Sequence, residues 1–314
     1  MGLVRVAVIG VGFWGKNHAR VYSEVEDAEL VAVCDIDVER AKLIAKRYGC
    51  RAYTDFREML RAEKPEAVSI CTPTTTHYEV ASEVLSMGVH ALTEKPLCST
   101  VKEAERLRDL ASSMGVKLMP GHIERFNPAV DRVKRLVVDG VLGKVILVAA
   151  RRVSRWPERV GDVGVVKDSA IHDVDVMRHL VGEVECVYAE TGSLRHRFED
   201  YVEAILHFKT GVTGFIEANW LTPRKVRRLT ITGSEAMATL DYLTQELSIE
   251  DSEKVLRPIA RWEEPLKREL VHFVRAVMGK EPLRLTAEDG VKALKVCEAI
   301  LESGRRGEKV YLEG

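Results

Sequence analysis

Apolar runs without internal alternation recur along the chain up to Pro120, at Val4–Ile9, Leu30–Cys34, Ala67–Cys71, His90–Thr93 and Lys117–Met119. Such runs suit strands of a parallel sheet, which are covered on both faces and carry no polar side. Between them, Asn17–Ser23, Val38–Tyr48, Tyr78–Met87 and Val101–Met114 space their apolar residues at helical intervals. Strand and helix in alternation predict a doubly wound parallel α/β sheet of Rossmann type.

The texture changes after Pro120. A helix is expected over Pro128–Asp139, then strands at Val145–Ser154, Val184–Thr191, Val202–Phe208, Val212–Ala218, Arg228–Thr232 and Met237–Leu240. Turn signals such as Lys209-Thr210-Gly211 join several of them, so this second region reads as α+β with a mostly antiparallel open sheet. Helices close the chain at Pro265–Met278 and Ala287–Ser303, the latter opening on the cap-like Thr286-x-x-Asp289. The expected domains are 1–121 and 122–314, with the helix at 286–303 able to pack back on the first.

Gly10-x-Gly12-x-x-Gly15 stands directly between the first strand and the first helix, with Phe13 and Trp14 inside it. In that context the glycines allow a tight turn, close approach of a pyrophosphate, and helix–strand packing, with the helix N-terminus facing the phosphates. Asp35 ends the second strand about 20 residues further on, where an acid binds the adenosine ribose. A carboxylate there accepts from a 2′-hydroxyl and repels a 2′-phosphate, so NAD is expected in preference to NADP.

Lys95, in Thr93-Glu94-Lys95-Pro96, follows a strand of the same domain. It is either a solvated turn charge or a group at the ligand-binding carboxyl edge of the sheet. In "VVKDSAIHDVDVMRHLVG", at about 100° per residue, Asp168, His172, Asp175 and His179 share one helical face. Ile171, Val174, Met177 and Val181 line another face, which would hold the helix on a core. The polar stripe suits an acid/base pair, with Asp168 orienting His172; a solvated face and a metal site are the other readings.

With 47 basic and 48 acidic residues, the chain has no charge excess for nucleic acid or a membrane surface. No apolar run approaches the roughly 20 residues of a membrane span. The start of the chain carries no signal-peptide pattern, so a cytoplasmic protein is expected. Six scattered cysteines without a C-x-x-C point to free thiols rather than disulfides or zinc. One glutamine and three asparagines beside abundant Glu, Lys and Arg lean towards a thermophilic source.

Taken together, Gly10–Gly15, Asp35, "TEKPL" at 93–97 and "DSAIHDVDVMRHL" at 168–180 resemble the Gfo/Idh/MocA family of NAD(P)-dependent sugar oxidoreductases. The resemblance extends through "GHIERFNP" at 121–128, "FKTGVTGFIEANW" at 208–220 and the closing "GEKVYL". It implies a second domain whose open sheet joins subunits into a homodimer or homotetramer. It also implies catalytic roles for Lys95, Asp168 and His172, and a cofactor bordered by Thr72, Pro73, His77 and Glu94. The Lys95–Pro96 bond is implied to be cis, aiming the lysine into the cleft.

"GHIERFNP" and "NWLTPRKVRRLTITGSEAMATLDY" look most like members that oxidise nucleotide sugars at C3, UDP-N-acetylglucosamine among them, which makes Arg125 and Asn127 candidate substrate residues. Arg151, Arg152, Arg155 and Arg159 could clamp a diphosphate, or lie alternately on a solvated or subunit-facing side. Trp156 either stacks on a base or sugar or serves packing. The expected reaction is oxidation of a ring hydroxyl, with His172 taking the proton and Lys95 assisting, or the reverse. An inositol or glucose dehydrogenase is the alternative enzyme, and a non-catalytic dinucleotide sensor the alternative outside enzymes.

Overall fold

The computed structural model describes residues 2–156, 161–259 and 261–312. The chain divides into two compact units, Met1–His122 with Leu266–Val291, and Ile123–Pro265 with Lys292–Gly314.

The first unit runs β1 (Val4–Ile9), α1 (Gly15–Glu24), β2 (Ala28–Cys34), α2 (Val38–Tyr48), β3 (Arg51–Tyr53), α3 (Phe56–Glu63), β4 (Ala67–Ile70), α4 (Thr74–Ser86), β5 (His90–Glu94), α5 (Val101–Met114) and β6 (Leu118–Gly121). Its six strands are all parallel, in the order β3-β2-β1-β4-β5-β6. β1 and β4 lie at the centre and are buried almost throughout, which is why their sequence is a plain apolar run. Strand order reverses between these two, so the loops that follow them open side by side at the switch point. The helices begin on caps that the sequence carries: Asp37 for α2, Asp55 for α3 and a Thr100/Glu103 capping box for α5.

The second unit contains α6 (Pro128–Val138), β7 (Val145–Val153), α7 (Ile171–Val181), β8 (Val184–Gly192), β9 (Tyr201–Phe208), β10 (Thr213–Asn219), β11 (Val226–Gly233), β12 (Met237–Asp241), β13 (Leu247–Glu250) and β14 (Val255–Leu256). A short 3-10 turn, Ile123–Phe126, precedes α6. The final elements are α8 (Pro265–Val277), α9 (Ala287–Arg306) and β15 (Val310–Tyr311). The nine strands order as β14-β13-β12-β11-β7-β10-β9-β8-β15, and β7 with β10 is the parallel pair in an otherwise antiparallel sheet. Burial alternates along β9 and β10, as it must where one face meets a core and the other does not. Val148, Val202, Leu206, Ile216 and Ile231 point to the core that includes Val174 and Met177 of α7. The opposite face presents Arg151, Tyr188, Glu203, Ile205, Phe215 and Glu217 in a shallow depression.

Most of α8 belongs to the first unit, burying Leu266, Leu270, Phe273 and Val274. Lys280 reaches Asp27 at 2.9 Å and Lys267 reaches Glu24 at 3.5 Å. All six cysteines are free thiols. Among the described residues no helix is long and apolar enough to cross a membrane, and no group of His, Cys, Asp or Glu is placed to hold a metal.

Candidate functional site

The three glycines of the loop after β1 are required for different reasons. Gly10 has φ +84°, and a Cβ there would lie 2.8 Å from the carbonyl oxygen of Cys71, in the loop after β4. At Gly15 a Cβ would fall 1.7 Å from the Gly10 carbonyl oxygen. A Cβ at Gly12 would meet nothing within 4 Å. Internal packing therefore demands glycine at 10 and 15, whereas the bare backbone at 12 leaves room for something from outside. Phe13 is exposed and Trp14 partly so, their rings 5.9 Å apart edge to face. α1 has no side-chain N-cap and no acid in its first turn, so no side chain competes with a phosphate for the positive end of its dipole.

These features fit a dinucleotide, and they separate two substitutions. Gly15→Ala should cost roughly 2–3 kcal/mol or more in stability, as overpacking against backbone does. Gly12→Ala should melt as the wild type does, yet bind NADH about tenfold or more weakly, a change of about 1.4 kcal/mol. Thermal melts alongside fluorescence titration check both; a Gly12→Ala protein with unaltered NADH affinity would remove that glycine from the phosphate site.

Asp35 follows β2 and is 6% exposed. Its carboxylate accepts from the Val11 amide at 2.9 Å, tying it to the glycine loop, and from the Asp37 amide at 3.0 Å. The Arg40 guanidinium bridges both oxygens at 3.1 and 3.3 Å. Ile36, the next residue, is 95% exposed and offers an apolar surface beside it.

Glu94 ends β5, next to Lys95, and is buried. His18 of α1 reaches it at 2.9 Å through Nε2, while its Nδ1 lies 3.0 Å from the Ser69 hydroxyl, itself 2.8 Å from Tyr22. Burial alone would raise the Glu94 carboxyl, but the His18 hydrogen bond, the His18 charge and Lys95 bring it below the usual carboxylate range. The second Glu94 oxygen accepts from the Lys95 amide at 3.2 Å, so an ionised acid braces the backbone that carries the lysine. His77, buried in α4, links the two neighbouring loops: its ring nitrogens lie 2.9 Å from the Pro96 carbonyl and 3.0 Å from the Thr72 carbonyl. The Thr72 hydroxyl accepts from Thr76, and exposed Pro73 stands at the start of α4. The Lys95–Pro96 bond is cis, as the resemblance implied.

In the second unit, one π-helical turn over Val166–Ala170 leads into α7. Asp168 lies in that turn and accepts from Ser169; His172 lies in the first turn of α7 and is 9% exposed. A regular helix from 168 onward is therefore not what forms: the wider turn breaks the 100° spacing between Asp168 and His172.

The expected polar stripe is also divided. Asp175, 1% exposed, takes a bidentate pair from Arg125 at 2.6 and 2.9 Å, and the third Arg125 nitrogen lies 3.1 Å from Nδ1 of His179. Asn127, fully buried, caps α6 through the Ala129 amide and donates to Glu124 and to the Tyr242 carbonyl. Arg125 thus supports α7, while Asn127 fixes the start of α6 and ties it to the Tyr242 backbone.

The arginines before α7 separate too. Arg151 lies on the open sheet face, paired with Glu217 at 2.6 Å. Arg152, one residue on, is buried and grips Asp173 at 2.7 and 3.1 Å and Glu124 at 3.1 Å. Arg155 is exposed, and Arg159 lies outside the described residues. Trp156 packs edge-on against Trp220 and His196, each at 5.8 Å. His18, Ser69, Arg40, Glu124 and Asp173 escaped the sequence reading. The one usable signal was polar His18 amid the buried residues Ala19, Val21 and Tyr22 of α1.

A parallel sheet whose switch point holds a glycine-rich loop before a helix, with an acid just after the next strand, is the fold of a dinucleotide-binding domain. Comparison with known proteins gives the family. Residues 4–122 match "Oxidoreductase family, NAD-binding Rossmann fold" and residues 130–239 match the "GFO/IDH/MocA C-terminal domain". The chain belongs to the Gfo/Idh/MocA oxidoreductases; it is an enzyme of that family, with NAD as its cofactor.

A UDP-N-acetylglucosamine 3-dehydrogenase of Acidithiobacillus ferrooxidans is 32% identical over 247 residues, covering 78% of this chain and 76% of that one. Its solved structure superposes with a TM-score of 0.88 over 96% of this chain and 98% of that one, at 29% identity. The myo-inositol 2-dehydrogenase of Thermotoga maritima is 29% identical over 335 residues, 99% of each chain. GenD2 from gentamicin A biosynthesis, solved in complex with NAD, gives a TM-score of 0.90 at 27% identity over 100% of this chain and 97% of that one.

Proposed function

We propose that this enzyme oxidises a secondary alcohol of a sugar ring, with UDP-N-acetylglucosamine, oxidised at C3, as substrate. The observation that carries the reading is the similarity to the UDP-N-acetylglucosamine 3-dehydrogenase of A. ferrooxidans. Bound NAD supplies the hydride acceptor. The chain's own groups handle the proton and the orientation. His172 takes the hydroxyl proton with Lys95 assisting, and Asp168 orients the imidazole and offsets its positive charge. Arg155, Trp156 and Arg159 serve the nucleotide-sugar side, while Arg125 keeps α7 in place and Asn127 the start of α6.

A substrate screen following the absorbance of reduced nicotinamide tests this, with UDP-N-acetylglucosamine, UDP-glucuronate, myo-inositol and glucose compared. UDP-N-acetylglucosamine is expected to give the highest kcat/KM. The inositol reading is favoured by the full-length similarity to the T. maritima enzyme, and a rate with myo-inositol that exceeds every nucleotide sugar would establish it instead. The protein is further proposed to act in the cytoplasm as a homodimer or homotetramer. Ile205, Phe215 and Tyr188 on the open sheet face suit a partner subunit.

A further inference from the structure

Strand register lays a row of charges across the open face of the second sheet. Glu190 of β8 stands beside Glu203 of β9, and Glu203 beside Glu217 of β10. Glu217 is next to Arg151 of β7, and Arg151 next to Arg228 of β11. Three acids thus hold one half of the row and two arginines the other. The middle pair is neutralised by the Arg151–Glu217 bridge at 2.6 Å, whereas among the described residues Glu203 and Arg228 form no salt bridge. Like charges directly across a strand pair are destabilising, and Glu203 has an acid on either side. Burial, with Glu217 beside it, holds the Glu203 carboxyl above the usual carboxylate range.

The next row along the same face is graded by size. Tyr188, Ile205 and Phe215 fill the half beside the acids, and Ala149, Thr230 and Thr239 the half beside the arginines. The three large side chains are all partly exposed, Phe215 at 40%. Both rows change character at one line, between β10 and β7.

We infer that a second copy of this chain covers the face about a two-fold axis that runs along that line, parallel to the strands. The rotation lays each row on its own reverse, as an isologous contact must. Glu203 then meets the partner's Arg228, and Glu217 the partner's Arg151. In the neighbouring row Phe215 meets the partner's Ala149, Ile205 the partner's Thr230 and Tyr188 the partner's Thr239, each a large side chain on a small one. An axis along the charged row, at right angles to the strands, would instead set every charge on its own copy. At the rim Asp241 comes opposite the partner's Glu190, but its carboxylate already accepts from the Leu243 and Thr244 amides. The five strands from β8 to β11 make a flat outline of roughly 600 Å2, which side-chain relief raises towards the ~800 Å2 per partner of a standard interface. The inference rests on the oligomer proposed above and deepens it, by fixing the axis and the residues that pair.

Fluorescence-detected sedimentation of the wild type, Glu203→Arg, Arg228→Glu and an equimolar mixture of the two variants tests it, with thermal melts to verify folding. In either variant alone, two like-charged pairs replace two opposite ones. The dissociation constant of the pairing should therefore rise about a hundredfold or more. At about ten times the wild-type dissociation constant, each variant is expected to sediment at half the wild-type mass. In the mixture every such contact again joins opposite charges, because one chain is basic at both positions and the other acidic at both. The full mass should return, and no effect confined within one chain is cured by mixing. Variants assembled as fully as the wild type, or a mixture that stays at half the mass, overturn this inference alone. A monomeric wild type overturns it together with the oligomer.

Discussion

His172→Ala should lower turnover by about two to four orders of magnitude, the usual worth of a positioned general base. NADH affinity should change little, because the proposed cofactor cradle, Gly10–Gly15 with Asp35, does not include His172. Lys95→Ala is expected to act in the same direction. Its brace, the Glu94 carboxylate, keeps the hydrogen bonds to His18 and to the backbone amide at position 95 when the lysine side chain is removed, losing only the ammonium charge beside it. The double variant is the informative one. If both groups serve one hydroxyl proton, the combined loss falls well short of the product of the single losses, as for any residues that act as a unit. Steady-state rates of the three variants with saturating NAD measure it. Wild-type turnover in either single variant removes that residue from the mechanism, and strictly multiplicative losses assign the two groups to different steps.

Arg152→Met should destabilise the protein by about 3–5 kcal/mol, the cost of removing one partner of a buried ion pair. Asp173 and Glu124 would then lie in the interior as two facing acids without the guanidinium between them. Burial already holds Asp173 above the ordinary carboxylate range despite Arg152. An acid with a raised folded value stabilises the fold below its unfolded value and loses that contribution as pH rises. Without Arg152 the folded value climbs further, so the variant's deficit should narrow as pH falls from about 7 towards about 5. Urea unfolding at several pH values reads this directly. An equal deficit at all of them would show that lost packing, not stranded charge, is the cause.

The parts of the fold that the sequence displays are those whose burial is uniform. β1 and β4 are central strands, and their unbroken apolar runs follow from being covered on both sides. By contrast Arg51-Ala52-Tyr53 forms the edge strand β3, mostly exposed, and has no apolar signature. α3 is short, and Asp55 alone marks its start. β14 and β15 are brief edge strands, and β13 a four-residue strand beside β14, all fixed by tertiary contact. At the site, glycine at 10 and 15 was legible because local geometry imposes it, whereas Asp35 and Lys95 were read from their places after strands and from the resemblance. The stripe on α7 was misread in part because an angular projection assumes a regular helix and knows nothing of partners. A π turn altered the spacing, and Arg125 claimed Asp175 and His179. The arginine cluster allowed two readings, a diphosphate clamp or alternation onto a solvated or subunit-facing side, and Arg151 and Arg152 do occupy opposite faces of one strand.

The span from Val11 to His18 is tethered at both ends, its first amide on Asp35 and its last imidazole on Glu94, each at 2.9 Å. A residue inserted or deleted between them shifts one tether relative to the other, so the length of this stretch is held by two bonds outside it, whatever side chains stand at 13 and 14.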